Sequence, residues 1–216
     1  MVPCRWRSAS RCPAGDSVGD LQRPSKQNGT ITMHIALIEP KIPPNTGNIA
    51  RLCLATDSPL HLIEPLGFSL EDKEVRRAGL DYWNKVDVWV HPNWFRFRDA
   101  ISRDRCLYFS ANAEREYSEA RFAPNSVLVF GSEIDGLPAK ILEKHPERCF
   151  RIPMPGEVRS LNLANAVSIV LYEGLRQLGL HEGEPPELPA EEPASGSAPA
   201  KRRPRRRGAR GKRGAA

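Results

Sequence analysis

The stretch "IPMPGEVRSLNLANAVSIVLYEGLRQLG", residues 152–179, begins as a loop and ends as a helix. Pro153, Pro155 and Gly156 keep its first part irregular, and Ser160, Asn162 and Asn165 crowd polar groups at the mouth of the helix. Positions 163, 167, 170, 171, 174, 175 and 178 then form one apolar stripe, so a helix is expected over 160–178 with Ser160 as its cap. A helix that needed only packing would not require that polar mouth. Ile152, Met154 and Leu161 offer apolar contacts, and the proline-rich loop leaves backbone donors and acceptors unpaired. An aromatic ring with a polar edge, or a carboxylate, suits such a place. A plain capped helix with structural asparagines is the competing reading.

Upstream of this stretch, short β-rich runs alternate with amphipathic segments. The runs are 34–39, 60–64, 86–90, 106–110, 127–130 and 149–153, nearly continuous in apolar character, as strands covered on both faces are. Helices fit at about 46–57, 71–79, 93–102 and 137–144. The alternation predicts an α/β domain with a mostly parallel sheet and helices on both faces. Ligands of such sheets bind at the carboxyl edge, and three unusual turns follow strands there.

The turn at 39–57, "EPKIPPNTGNIARLCLATD", sets Pro43-Pro44 before a helix that Asn45 or Thr46 can cap, with Asn48 and Arg51 sharing one side. It reads either as a capped helix with a solvated arginine or as a guanidinium held near ligand oxygens. "VFGSEIDGLP", 129–138, offers Gly131 for close approach to the backbone, or is simply a strand–helix turn. No Gly-Lys-Ser/Thr follows it, and no G-x-G-x-x-G follows the first strand, which disfavours a nucleotide triphosphatase and a nicotinamide oxidoreductase.

Composition bounds the rest. The 216 residues carry a formal charge of +6. Residues 1–32 hold five basic and two acidic groups, and 181–216 hold nine and five. Residues 33–180 hold 18 and 19, a net of −1. The basic balance therefore belongs to the ends. A leader (1–32) and a Pro/Glu- then Arg/Lys-rich tail (181–216) are expected to be disordered around one domain at 33–180. The leader lacks a secretory core, and the domain is expected to begin right after Met33, with the leader read as a disordered segment or an overextended start. The tail "KRRPRRRGARGKR" reads as a solvated end or as a non-specific grip on phosphates. Five cysteines, at 4, 12, 53, 106 and 149, form no C-x-x-C pair. Cys53, Cys106 and Cys149 are expected as buried small hydrophobes in a reducing cytoplasm, with no structural metal and no membrane span.

Five blocks in order carry a resemblance: "EPKIPPNTGNIARLC" (39–53), "IEPLGF" (63–68), "RRAGLDYW" (76–83), "FGSEIDGLP" (130–138) and "RIPMPGEVRSLNLANAVSIVLYE" (151–173). The chain resembles the SPOUT-superfamily RNA 2′-O-methyltransferases, nearest the TrmL (YibK-like) branch that acts on the tRNA wobble nucleotide. The resemblance covers about 33–180 and neither end. It implies a C-terminal trefoil knot, a homodimer, tRNA anticodon-loop binding, and S-adenosyl-L-methionine as methyl donor. By similarity the donor contacts Ser110, Gly131, Ile152 and Ser160, with Met154 and Leu161 nearby. Asn45, Arg51 and Glu133 match the catalytic positions, and Arg159, Asn162, Asn165, Tyr172 and Arg77 further functional ones. A guanidinium is a poor base, so Arg51 is expected to clamp a phosphate and stabilise the developing alkoxide, acting on the partner's cofactor. Glu133 is expected to orient that assembly or pass on the proton. One departure stands out. This chain reads Gly-Ser-Glu-Ile-Asp-Gly at 131–136 where that branch reads Gly-Pro-Glu-Thr-Arg-Gly. Ribose methylation elsewhere in tRNA or rRNA, and a non-catalytic RNA-binding module on the same fold, are the alternatives.

Overall fold

The computed structural model describes residues 32–70 and 85–179 and the backbone of Arg7–Ser8. In chain order the elements are β1 (Arg7–Ser8), β2 (His34–Ile38), α1 (Pro43–Ala55), β3 (Leu60–Ile63), β4 (Val88–His91), α2 (Trp94–Ala100), β5 (Cys106–Phe109), β6 (Arg115–Glu116), β7 (Val127–Phe130), α3 (Ala139–Lys144), β8 (Cys149–Arg151) and α4 (Leu163–Gln177). The sheet order is β1-β4-β3-β2-β7-β5-β8-β6, and every pairing is parallel. Within the leader, Arg7–Ser8 pair with Trp89 and Val90. The tail, the helix expected at 71–79, and the block at 76–83 with Arg77 lie outside the described residues.

Alternation along each strand feeds two cores. Ile35, Leu37, Leu107, Phe109, Leu128 and Phe130 face one side, where Ile49, Ala50 and Cys53 of α1 and Val167, Val170 and Leu171 of α4 cover them. Ala36, Ile38, Cys106, Tyr108, Val127 and Val129 face the other, under Phe97 of α2 and Ile141 of α3. Helices therefore cover both faces, which is why the strands read as unbroken apolar runs. The three described cysteines are buried and unpaired, and burial pushes the Cys149 thiol up to about 11.

Element edges differ from the sequence expectation in instructive places. Helix α1 starts at Pro43 rather than 46, so Asn45 and Thr46 lie inside it and neither caps it. Prolines at the first two helical positions already have the right φ and bring no orphan N–H. Helix α4 starts at Leu163, and its cap is Asn162 rather than Ser160: the Asn162 side chain accepts from the Ala164 and Asn165 amides. Two N–H groups of the helix mouth are thus already taken.

His34, His61 and His91 line up across β2, β3 and β4. Their rings link His34 Nδ1 to His61 Nε2 and His61 Nδ1 to His91 Nε2, each at 3.0 Å. Arg105 Nη2 lies 3.2 Å from His34 Nε2. A guanidinium only donates, so His34 Nε2 must accept, and each ring in turn carries its proton on Nδ1. The row closes only when all three rings are neutral. Burial, then the charges of His34, His91 and Arg105, holds His61 well below its ordinary 6.5, and burial pushes His91 down to about 4. Below pH 6.5 the unfolded chain therefore takes up protons that the folded row refuses, and stability falls as pH falls toward 4. His91 alone contributes a loss of about 2 kcal/mol between pH 7 and 5. Urea midpoints at both pH values check this, and a flat profile would reject the neutral row.

Candidate active site

Three neighbouring strands carry an aromatic side chain at their last or next-to-last residue and hand over to a small or irregular segment. Phe109 and Phe130 stack with ring centroids 5.2 Å apart, and Phe150 lies tilted against Phe109 at 6.0 Å. Their shared register puts the segments that follow side by side at the carboxyl edge. Above this aromatic floor opens a cavity of about 300 Å³. The six positions expected to touch the methyl donor, Ser110, Gly131, Ile152, Met154, Ser160 and Leu161, all line it, as do Glu133 and Arg159.

Gly131 is dictated by close approach. A Cβ there would meet the Gly136 carbonyl carbon and oxygen at 2.0 Å and the Leu137 nitrogen at 2.2 Å. The turn beyond is closed by Ser132, whose hydroxyl donates to Asp135 and accepts from the Asp135 amide. Asp135 and Ile134 therefore belong to the cavity wall, a role the sequence reading did not give them.

Glu133 turns away from this loop to serve α1. Its carboxylate accepts from the amides of Lys41 (2.8 Å) and Ile42 (3.3 Å) and from Asn45 Nδ2 (2.9 Å). Negative charge at the start of a helix is favourable, and here it arrives from another loop because the helix has no side-chain cap of its own. Asn45 Oδ1 then accepts from Asn162 Nδ2 at 2.9 Å. One hydrogen-bonded chain, Glu133–Asn45–Asn162, ties the mouths of α1 and α4 to the turn after β7. Asn45 is buried, so it serves this link from the interior. Removing the carboxylate in Glu133→Ala strands three donors, and a loss of about 1–3 kcal/mol is expected, with Glu133→Gln falling between. Chemical unfolding at constant m-value measures it.

Arg51 does not line the cavity: it lies exposed on the outer side of α1, next to exposed Asn48. Tyr172 and Asn165 are exposed on α4 and also stand clear of it. The cavity's own chemistry suits S-adenosylmethionine. Apolar Ile152, Leu161 and Met154 suit an adenine ring, Ser110, Ser132 and Ser160 its polar edges, Arg159 a carboxylate, and Glu133 and Asp135 positive charge. At about 300 Å³ the space lies at the small end of the usual range for such ligands. Among the described residues no His, Cys, Asp or Glu group is placed to hold a metal ion. The histidine row bonds ring to ring and does not converge on a point.

Comparison with known proteins gives the decisive match. Residues 32–172 match the SpoU rRNA Methylase family. The chain belongs to that family. This SpoU-family domain is 44% identical over 154 residues to a putative tRNA (cytidine(34)-2'-O)-methyltransferase of Geobacillus stearothermophilus, covering 70% of this chain and 98% of that protein. It is 48% identical over 148 residues to the tRNA (cytidine(34)-2'-O)-methyltransferase of Aeromonas hydrophila, covering 68% and 95%. A solved structure concerned with 2-OH methylation of C/U34 on tRNA superposes with a TM-score of 0.65 at 47% identity, over 68% of this chain and 97% of that one. An AdoMet-bound rRNA methyltransferase from Sinorhizobium meliloti gives 0.60 at 25% identity, over 68% and 57%. The parallel α/β fold expected from the alternation of runs is the fold of this family.

Proposed function

We propose that the chain transfers a methyl group from S-adenosyl-L-methionine to the ribose 2′-hydroxyl of the wobble nucleotide of tRNA, cytidine or uridine 34. One observation carries this reading. The residues that form the cavity lie inside a domain that spans nearly the full length of relatives named for that reaction. When bound, the cofactor supplies an electrophilic methyl on a sulfonium. The chain's residues do the rest. Ser110, Gly131, Ile152, Met154, Ser160 and Leu161 bind and orient it, and Arg159 takes up a carboxylate or phosphate at the rim. Glu133, Asn45 and Asn162 hold the loops in place. Arg51 clamps the RNA phosphate and stabilises charge on the ribose oxygen. Proximity and this charge stabilisation are the main sources of rate.

Because Arg51 stands outside its own subunit's cavity, the site is read as composite, completed across a homodimer. Support comes from α4, where exposed Asn165, Ile169, Tyr172 and Arg176 form one stripe, beside α1, on which it packs. The C-terminal trefoil knot belongs to the same reading, supported by the return of α4 onto α1 and β7 after β8. Among the described residues no helix is long and apolar enough to cross a membrane, and action on cytoplasmic tRNA is proposed.

Nucleoside mass spectrometry of tRNA from a deletion strain tests the assignment. Loss of one 2′-O-methylated nucleoside from the anticodon loop is expected. An altered rRNA fragment with intact tRNA would move the substrate to ribosomal RNA. Calorimetry showing no uptake of S-adenosylmethionine or its demethylated product would end the reading.

A further inference from the structure

The segment "HPNWFRFRDAISRDR", residues 91–105, interleaves aromatic and basic side chains. It carries four arginines against two aspartates, a net +2 within a domain whose net charge over 33–180 is −1. Helix α2 divides these side chains by face. Phe97 is fully buried in the core, and Trp94 stacks on it at 5.2 Å. Arg98 lies over Trp94, its guanidinium 5.7 Å from the ring centroid. Phe95 points the other way and is 77% exposed, more than Tyr172 at 57% or Ile134 at 71%. Arg96 is solvent-exposed beside it, with Asp99 3.8 Å away, a loose surface pair.

An exposed phenyl ring has no reason of stability to stand in water, and neither the cofactor cavity nor the α1–α4 surface uses it. With the exposed Arg96 guanidinium beside it, it has the make-up of a stacking platform for an unpaired base whose phosphates lie against arginine. Its place in the fold fits such a use. Helix α2 starts three residues beyond the end of β4, at the same carboxyl edge as the cavity. Strands β3 and β2 separate β4 from β7, and β5 lies one further on. At about 4.8 Å per strand the platform stands roughly 14–19 Å along the edge from the cavity. At about 3.4 Å per stacked base, that is roughly four to six nucleotides.

The geometry points to Phe95, with Arg96, as a second RNA contact that stacks an unpaired base of the substrate away from the methylated ribose. This rests on the proposed tRNA substrate. The test compares wild type with Phe95→Ala, Phe95→Trp and Arg96→Ala on unmodified tRNA transcript. It measures RNA affinity across salt, steady-state kinetics, cofactor affinity by calorimetry, and mass by sedimentation. Phe95→Ala is expected to raise RNA Kd and KM at least about five-fold, with kcat and cofactor affinity unchanged. Phe95→Trp is expected to restore or tighten binding, and Arg96→Ala to lower the salt slope by about one. Unchanged RNA affinity in Phe95→Ala, with wild type methylating tRNA, overturns the platform and leaves the function intact. A changed mass in Phe95→Ala overturns it too, by assigning Phe95 to a protein contact. Wild type that neither binds nor methylates tRNA removes both readings.

Discussion

Alanine in place of Arg51 is expected to lower kcat by about 100- to 1000-fold while S-adenosylmethionine affinity stays within about two-fold of wild type. The separation of the two effects follows from position. Arg51 is on the outer side of α1, six residues and about 9 Å of helix beyond Asn45, and none of its atoms lines the cavity. Removing it leaves the Phe109–Phe130–Phe150 floor and the Glu133–Asn45–Asn162 chain in place. What disappears is a delocalised, permanently charged group on a rigid helix, suited to hold a phosphate and an oxygen that gains charge as the methyl moves. Lysine at this position is expected to recover only part of the rate, since it cannot present two parallel donors. Methyl transfer from labelled cofactor to tRNA transcript measures the loss. Full turnover in Arg51→Ala with normal cofactor binding would remove Arg51 from the mechanism. Mixing Arg51→Ala subunits with subunits carrying a blocked cavity then tests the composite site, because a mixed dimer regains one intact pair only if Arg51 works across the interface.

Gly131→Ala is expected to weaken S-adenosylmethionine binding at least about 100-fold, close to 2.7 kcal/mol, and to destabilise the domain besides. The added methyl would lie 2.0 Å from backbone atoms of Gly136, and backbone cannot swing aside as a side-chain tip does. The turn at 132–136 must move, and with it Ser132, Asp135 and the cavity wall. Gly136→Ala is the control. Nothing stands near its Cβ, and its φ of +69° makes the cost one of backbone strain, about 1–2 kcal/mol of stability, with a cavity still open. Calorimetry on both variants, with circular dichroism to confirm folding, separates a blocked pocket from a weakened fold. Equal cofactor affinity in both would show that the turn yields.

Much of this molecule was legible before any coordinate. Unbroken runs such as "VLVF" and "CLYF" announce strands covered on both faces, and residues 127–130 and 106–109 are such strands, lying side by side. The edge that carries the cavity was legible for a related reason: Ser110, Gly131 and Ile152 each follow a strand directly, and a parallel sheet brings such points to one edge, while the set of six positions came from the family resemblance. The starts of α1 and α4 were not legible. Pro43-Pro44 reads as a barrier, yet it opens α1, because the acceptor for the amides before it comes from Glu133, about ninety positions along the chain. Ser160 reads as the cap of the last helix, yet Asn162 holds that place, and the same side chain donates to Asn45. A local pattern cannot show a partner supplied from elsewhere.

By itself, then, the sequence determined the alternation of strand and helix, the two-sided burial and the edge on which a ligand must lie, because each depends on side-chain period and on position relative to a strand end. The tertiary structure alone decided that Glu133 and Asn45 are joined to Asn162, that Arg51 stands apart from its own cavity, and that three histidines share protons in one direction. Those are long-range hydrogen bonds and orientations. They exist only once strands distant in the chain have been laid in register.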